Sequence, residues 1–191
     1  MADTRGRKAA SSLIFKFVES VSMQLVSFIV SLVLANLLSP GDYGVLGMLT
    51  VFIAVSQVFV QSGLNTALIQ KKDTDEEDFS SVFWFSLGVA VILYLLLFAF
   101  APLIAGLMNR PELAAVLRVL ALILIPGALV SIQGAVVARR MLFRKMMLSS
   151  LLATVISGVV GILMARAGLR YWALVGQQLT NQFTLALLLT I

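Results

Sequence analysis

The stretch "LIFKFVESVSMQLVSFIVSLVLANLL", Leu13 to Leu38, decides the fold class. At about 1.5 Å rise per helical residue, it is long enough to cross a hydrocarbon core of about 30 Å. It stops at "SPGDYG", where Pro40 and Gly41 supply turn chemistry and Asp42 a polar stop. Yet Lys16, Glu19 and Gln24 sit inside it. A helix that carries such groups into a membrane must turn them toward protein or water, so the polar residues hold the functional information.

Similar runs recur along the chain. They predict about six spans, near residues 13–38, 43–69, 79–108, 113–138, 146–165 and 171–191, within a single transmembrane unit covering residues 1–191. Hydrophobic residues make up 60% of the chain and charged residues 12%, with a mean hydropathy of +1.03, outside the range of ordinary soluble domains. No period-two alternation supports a transmembrane barrel, so the expected class is all-α, a polytopic membrane helical bundle. Within the fourth span, "IPG" at Ile125–Gly127 predicts a kink near the middle. The leading "MADTRGRKAA" is basic, but the run behind it is too long for a signal peptide and lacks a small-residue cleavage site. The last run is still apolar at Ile191, which leads us to expect the amino-terminal lobe of a longer protein whose carboxy-terminal lobe is missing.

The chain has no cysteine and no histidine, which removes disulfides, thiolate and imidazole chemistry and the commonest zinc ligands. Its pI near 10.0 does not point to nucleic acid, because the basic residues fall in short clusters between apolar runs. Those clusters read as topology signals. Arg5, Arg7, Lys8, Lys71, Lys72, Arg139, Arg140, Arg144 and Lys145 fall on one side, against Arg110, Arg166 and Arg170 on the other. The asymmetry predicts a cytoplasmic amino terminus. Arg118, a turn or two inside the fourth span, is expected to snorkel outward. Asp73, Asp75, Glu76, Glu77 and Asp78 lack the glycine and spacing of a calcium loop and read as a solvated linker with an acidic cap. No nucleophile elbow, phosphate loop or catalytic carboxylate pair is present, so neither an enzyme nor a bound metal or cofactor is expected.

Residues three or four apart share a helix face. On the first span Lys16, Glu19, Ser20, Met23, Gln24, Ser27 and Ser31 fall within an arc of about 140° at 100° per residue. On the second, Gly47, Thr50, Ala54, Gln57, Gln61 and Asn65 form another stripe. Two readings stand side by side. Lys16 and Glu19 could pair at the membrane boundary, and the glutamines could join helices by hydrogen bonds. Alternatively, two successive polar stripes line a hydrophilic path, and Lys16, Glu19, Gln24, Gln57, Gln61 and Asn65 are the candidate cavity residues. In the sixth span, "QQLTNQ" pairs Gln177 with Asn181 and Gln178 with Gln182 and reads as packing glue.

The segment "LANLLSPGDYGVLGMLTVFIAVSQVFVQSGLNTALIQKKDTDEEDFSSVFWF", followed by "MLFRKMMLSS" and "YWALVGQQLTNQF", resembles Wzx-type bacterial polysaccharide (O-antigen) flippases of the multidrug/oligosaccharidyl-lipid/polysaccharide exporter superfamily. The resemblance covers almost the whole chain. It implies one six-helix lobe of a fold of 12 or 14 helices. It also implies translocation of a polyprenyl-pyrophosphate-linked oligosaccharide from the cytoplasmic to the periplasmic leaflet by alternating access, for lipopolysaccharide or exopolysaccharide assembly. Coupling to an ion gradient or the membrane potential, and partnership with polymerase and assembly proteins, would follow. By the same resemblance Lys16 is the candidate for the anionic headgroup, and Gln24, Gln57, Gln61 and Asn65 contact sugar or water. Asn36 stands where many relatives carry arginine, and Glu19 lowers the positive potential beside Lys16, which argues against a purely cationic trap. The alternatives are a multidrug or ion antiporter of the same superfamily, a glycan polymerase or ligase, for which the external loops are too short, and an inactive fragment.

Overall fold

The computed structural model of the chain describes residues 21, 24–61, 76–139 and 143–190. Among these the regular elements are all helices: α1 (Gln24–Leu37), α2 (Pro40–Gln61), α3 (Glu76–Leu107), α4 (Leu113–Ala121), α5 (Leu124–Arg139), α6 (Phe143–Arg166) and α7 (Tyr171–Thr190). The chain is a polytopic helical bundle. Among the described residues, four helical stretches are long and apolar enough to cross a membrane: Pro40–Val60, Ser81–Leu107, Leu113–Val137 and Arg144–Arg166. The 14-residue stretch of α1 is shorter, and the 20 residues of α7 are interrupted by four amides.

The expected fourth span is two helices, and its break precedes the proline. Pro126 has no N–H to offer the carbonyl of Leu122 four residues back, and its ring crowds that carbonyl. The chain closes i→i−3 bonds instead, from Leu122 N to Val119 O (3.2 Å) and from Ile123 N to Leu120 O (3.0 Å). The break therefore falls at Leu122–Ile123, one turn ahead of "IPG". The α4–α5 span is the centre of the bundle, half of it buried, whereas only 11% of the α3 window is. Leu34, Leu49, Leu113, Leu117, Leu120 and Leu124 are fully buried, while Phe28, Ile29, Val51, Val58, Leu103 and Leu163 cover the outside. An apolar exterior suits lipid, not water.

Three short turns cluster at one end. Asn109 (φ 53°) and Gly168 (φ 79°) each take the left-handed conformation just past a helix. Each closes a pair of bonds, Asn109 N to Gly106 O and Arg110 N to Ala105 O, then Gly168 N to Ala165 O and Leu169 N to Met164 O. This satisfies carbonyls that the helix end would leave open. The third turn is a capping box. The backbone N–H and Oγ of Ser39 both donate to Asp42 Oδ2 (3.0 and 2.7 Å), and Asp42 N donates back to Ser39 Oγ (3.3 Å). The other carboxylate oxygen of Asp42 forms an ion pair with Arg170, Nε to Oδ1 at 3.3 Å, which ties the α1–α2 turn to the α6–α7 turn.

Asp42 is buried and Arg170 is 71% exposed, so the cap outweighs the ion pair. Asp42→Ala is expected to cost about 1 kcal/mol, within about 0.5–2 for a lost cap, and Arg170→Ala much less. Thermal unfolding midpoints in detergent check this. Equal losses for the two variants would refute the ranking.

Candidate functional site

The polar residues of four helices meet in a cavity of about 450 Å³. Ser27 and Ser31 enter from α1, Gln57 from α2, Thr154 and Ser157 from α6, and Gln177, Gln178, Asn181 and Gln182 from α7. Val30 and Ile123 complete the wall, Ile123 from the break between α4 and α5. Asn181 lies ten residues into α7, about 15 Å from the turn end at 1.5 Å per residue, near half the depth of a hydrocarbon core.

Local sequence sets each group. Gln57 is one step of the α2 stripe, and its Nε2 lies 4.0 Å from where a Cβ on Gly127 would stand, so α5 approaches closely there. The same stripe leaves Gly47 and Ala54 exposed and Thr50 half-exposed, its Oγ1 donating to Gly47 O at 2.9 Å. On the other wall, α6 and α7 pack most intimately because glycines face the contact. A Cβ on Gly161 would come 3.0 Å from that of Gln177. A relay then fixes the shared face: Asn181 Nδ2 donates to Ser157 Oγ (3.2 Å), Ser157 Oγ to Thr154 O (3.1 Å) and Thr154 Oγ1 to Ser150 O (2.8 Å). Ser157 is buried, and Oε1 of Gln182 is buried with no hydrogen-bond partner among the described residues.

Every polar group that the described residues bring to this wall is a neutral amide or hydroxyl. Amides offer two donors and an acceptor, and hydroxyls offer both. The wall can therefore exchange hydrogen bonds with water or a polyol in either direction. Among the described residues none that lines it is charged.

Of the sequence candidates, Gln57 lines the cavity. Gln24 is exposed at the start of α1 and is not in the wall. Lys16, Glu19 and Asn65, and the side chain of Gln61, lie outside the described residues. The structure adds Ser27 and Ser31, which the first stripe already contains. It also adds the α7 amides, whose i,i+4 spacing is the signal. Arg118 departs from the snorkelling expectation: its guanidinium lies 4.6 Å from the Phe98 ring centroid, and Nε donates to Phe98 O at 3.3 Å. No group of His, Cys, Asp or Glu among the described residues is arranged to hold a metal.

The family model described as "Polysaccharide biosynthesis protein" matches residues 33–191. The chain is 32% identical over 153 residues to the succinoglycan biosynthesis transport protein ExoT of Rhizobium meliloti, covering 80% of this chain and 31% of the relative. It is 27% identical to the teichuronic acid biosynthesis protein TuaB of Bacillus subtilis, covering 62% and 28%. To the lipopolysaccharide biosynthesis protein WzxC of Escherichia coli it is 26% identical over 90 residues, covering 47% and 18%. The chain thus spans under a third of the length of these relatives. No solved structure matches it. With the match running from the middle of α1 to the end of α7, and in keeping with the Wzx-type resemblance, the chain belongs to the polysaccharide biosynthesis protein family.

Proposed function

We propose that this chain is one lobe of a flippase that carries a polyprenyl-pyrophosphate-linked oligosaccharide from the cytoplasmic to the periplasmic leaflet of a bacterial inner membrane by alternating access. The observation that carries the reading is the wall of amides and hydroxyls that four helices bring together. A saccharide crossing hydrocarbon must keep its hydroxyls paired, since each unpaired one costs at least about 1–3 kcal/mol. Gln57, Gln178, Asn181 and Gln182 are the proposed replacements for water around the sugar. The pyrophosphate needs a cation, none lines the cavity among the described residues, and Lys16 is the proposed contact from sequence. Gln24, Gln61 and Asn65 are proposed to extend the path, with an ion gradient or the membrane potential as driving force.

The test is transport of lipid-linked oligosaccharide by the full-length protein in proteoliposomes, with the amino terminus in the lumen-excluded orientation checked by protease. Gln57→Leu and Gln178→Leu keep side-chain volume and remove hydrogen bonding. Each is expected to lower the transport rate on the order of tenfold, the equivalent of about one lost hydrogen bond of 1.5 kcal/mol, with normal insertion. Wild-type rates for both variants would remove the cavity from the path.

A further inference from the structure

A second cavity, about 490 Å³, opens between the first turns of α6 and the last turn of α7. Its wall is Leu148, Ser149 and Leu152 of α6 with Leu188 of α7, and its mouth carries Arg144 and Lys145. Arg144, Leu148 and Leu152 follow one another at i,i+4, so the groove runs about 12 Å down one helix face, from charge into hydrocarbon. Leu148 and Leu152 are 45% and 49% exposed, which leaves the groove open to the surroundings. Arg144 is exposed, and Lys145 donates one of its three N–H groups to Leu189 O at 3.5 Å, which holds the ammonium over the end of α7. Neither cation forms an ion pair among the described residues.

This groove is separate from the polar cavity. Leu148 and Ser157 are nine residues apart on α6, about 180° at 100° per residue, so the two openings lie on opposite sides of the helix. What fills the groove comes from the bilayer and not from the transport path. Lipid tails are as apolar as leucine, so the wall supplies shape and little driving force. Selectivity must come from the two cations at the membrane boundary.

We propose that the groove binds one anionic phospholipid from the leaflet at this end of the bundle. The phosphodiester lies between Arg144 and Lys145, and one acyl chain lies along Leu148, Leu152 and Leu188. Basic pockets between transmembrane helices hold acidic headgroups in this way. The occupant is a bulk phospholipid and not the polyprenyl carrier, because the groove turns away from the polar cavity and a bulk lipid prevails there by mass action.

Native mass spectrometry of the delipidated full-length protein, titrated separately with phosphatidylglycerol, phosphatidylcholine of the same chains and polyprenyl phosphate, tests this. Wild type is expected to take up one phosphatidylglycerol more readily than phosphatidylcholine. R144Q/K145Q is expected to bind that lipid about thirtyfold more weakly. Leu152→Trp, which keeps both charges and fills the groove, should lose the same lipid, and Arg110→Gln at the opposite end should not. If R144Q/K145Q fails to fold, Leu152→Trp decides alone. Equal binding of phosphatidylcholine, wild-type binding by the folded variants, or displacement of phosphatidylglycerol by polyprenyl phosphate at equal concentration would each overturn the proposal.

Discussion

Gly158→Leu is expected to be the most damaging single substitution in the bundle, destabilising it by about 3 kcal/mol. A Cβ at Gly158 would stand 2.6 Å from Val30 Cγ2 and 3.1 Å from Cγ1. Val30 cannot step aside: its branched side chain is stiff at χ1, and it is buried between α1 and α6. The whole of α1 must therefore move, and with it Ser27 and Ser31 in the cavity wall. Even Gly158→Ala should destabilise, although alanine gains about 1 kcal/mol of helix propensity, because crowding of this kind costs about 1–3 kcal/mol. Two controls separate crowding from propensity. Gly88 has nothing within 4 Å, so Gly88→Ala should stabilise. At Gly176 the clash is with Sδ and Cε of Met164, the free end of a flexible side chain, so Gly176→Ala should be near neutral. Val30→Ala should rescue Gly158→Ala. Unfolding midpoints in detergent measure all five, and a Gly158→Ala variant as stable as Gly88→Ala would refute the close contact.

That contact also marks where sequence reading ends. Hydropathy and turn residues locate membrane helices because solvent alone imposes them: α3, α6 and α7 begin within about three residues of the positions that apolar runs predict. The break in the fourth span is legible as a proline effect, but it falls at Leu122–Ile123 because proline acts on the carbonyl four residues back. Within the site, Gln57 is legible because a stripe needs only helical geometry. The α7 amides are not, because i,i+4 spacing suits packing and cavity lining equally. Asn181 does both, donating to Ser157 and lining the space beside it. Which role each amide plays depends on how far α1 and α2 stand from α7. That distance is set by Gly158 and Gly161, whose lack of a side chain carries no polarity signal in the sequence.

Pro102→Ala is expected to stabilise the bundle by up to about 3 kcal/mol and, in doing so, to make Arg118 dispensable. Pro102 lies inside α3, so the N–H that would bond the carbonyl of Phe98, four residues back, does not exist. Arg118 supplies the missing donor from α4, at 3.3 Å, and lays its guanidinium against the ring of the same residue. Five residues into α4, roughly 8 Å from the turn end, this charge is inside the apolar stretch, where a bare carbonyl and an unpaired guanidinium would both be costly. Each group solves the other's problem. Arg118→Leu alone should therefore destabilise by about 1–3 kcal/mol, more than an exposed arginine would. In the Pro102→Ala background a helical N–H already occupies the Phe98 carbonyl, and the same Arg118→Leu change should cost little. The double-mutant cycle is expected to give a coupling of about 1 kcal/mol or more, within the range of about 0.5–3 for residues that share a partner. Additive effects of the two substitutions would mean that Arg118 serves α3 only by packing on Phe98, and not by replacing the donor that proline removed.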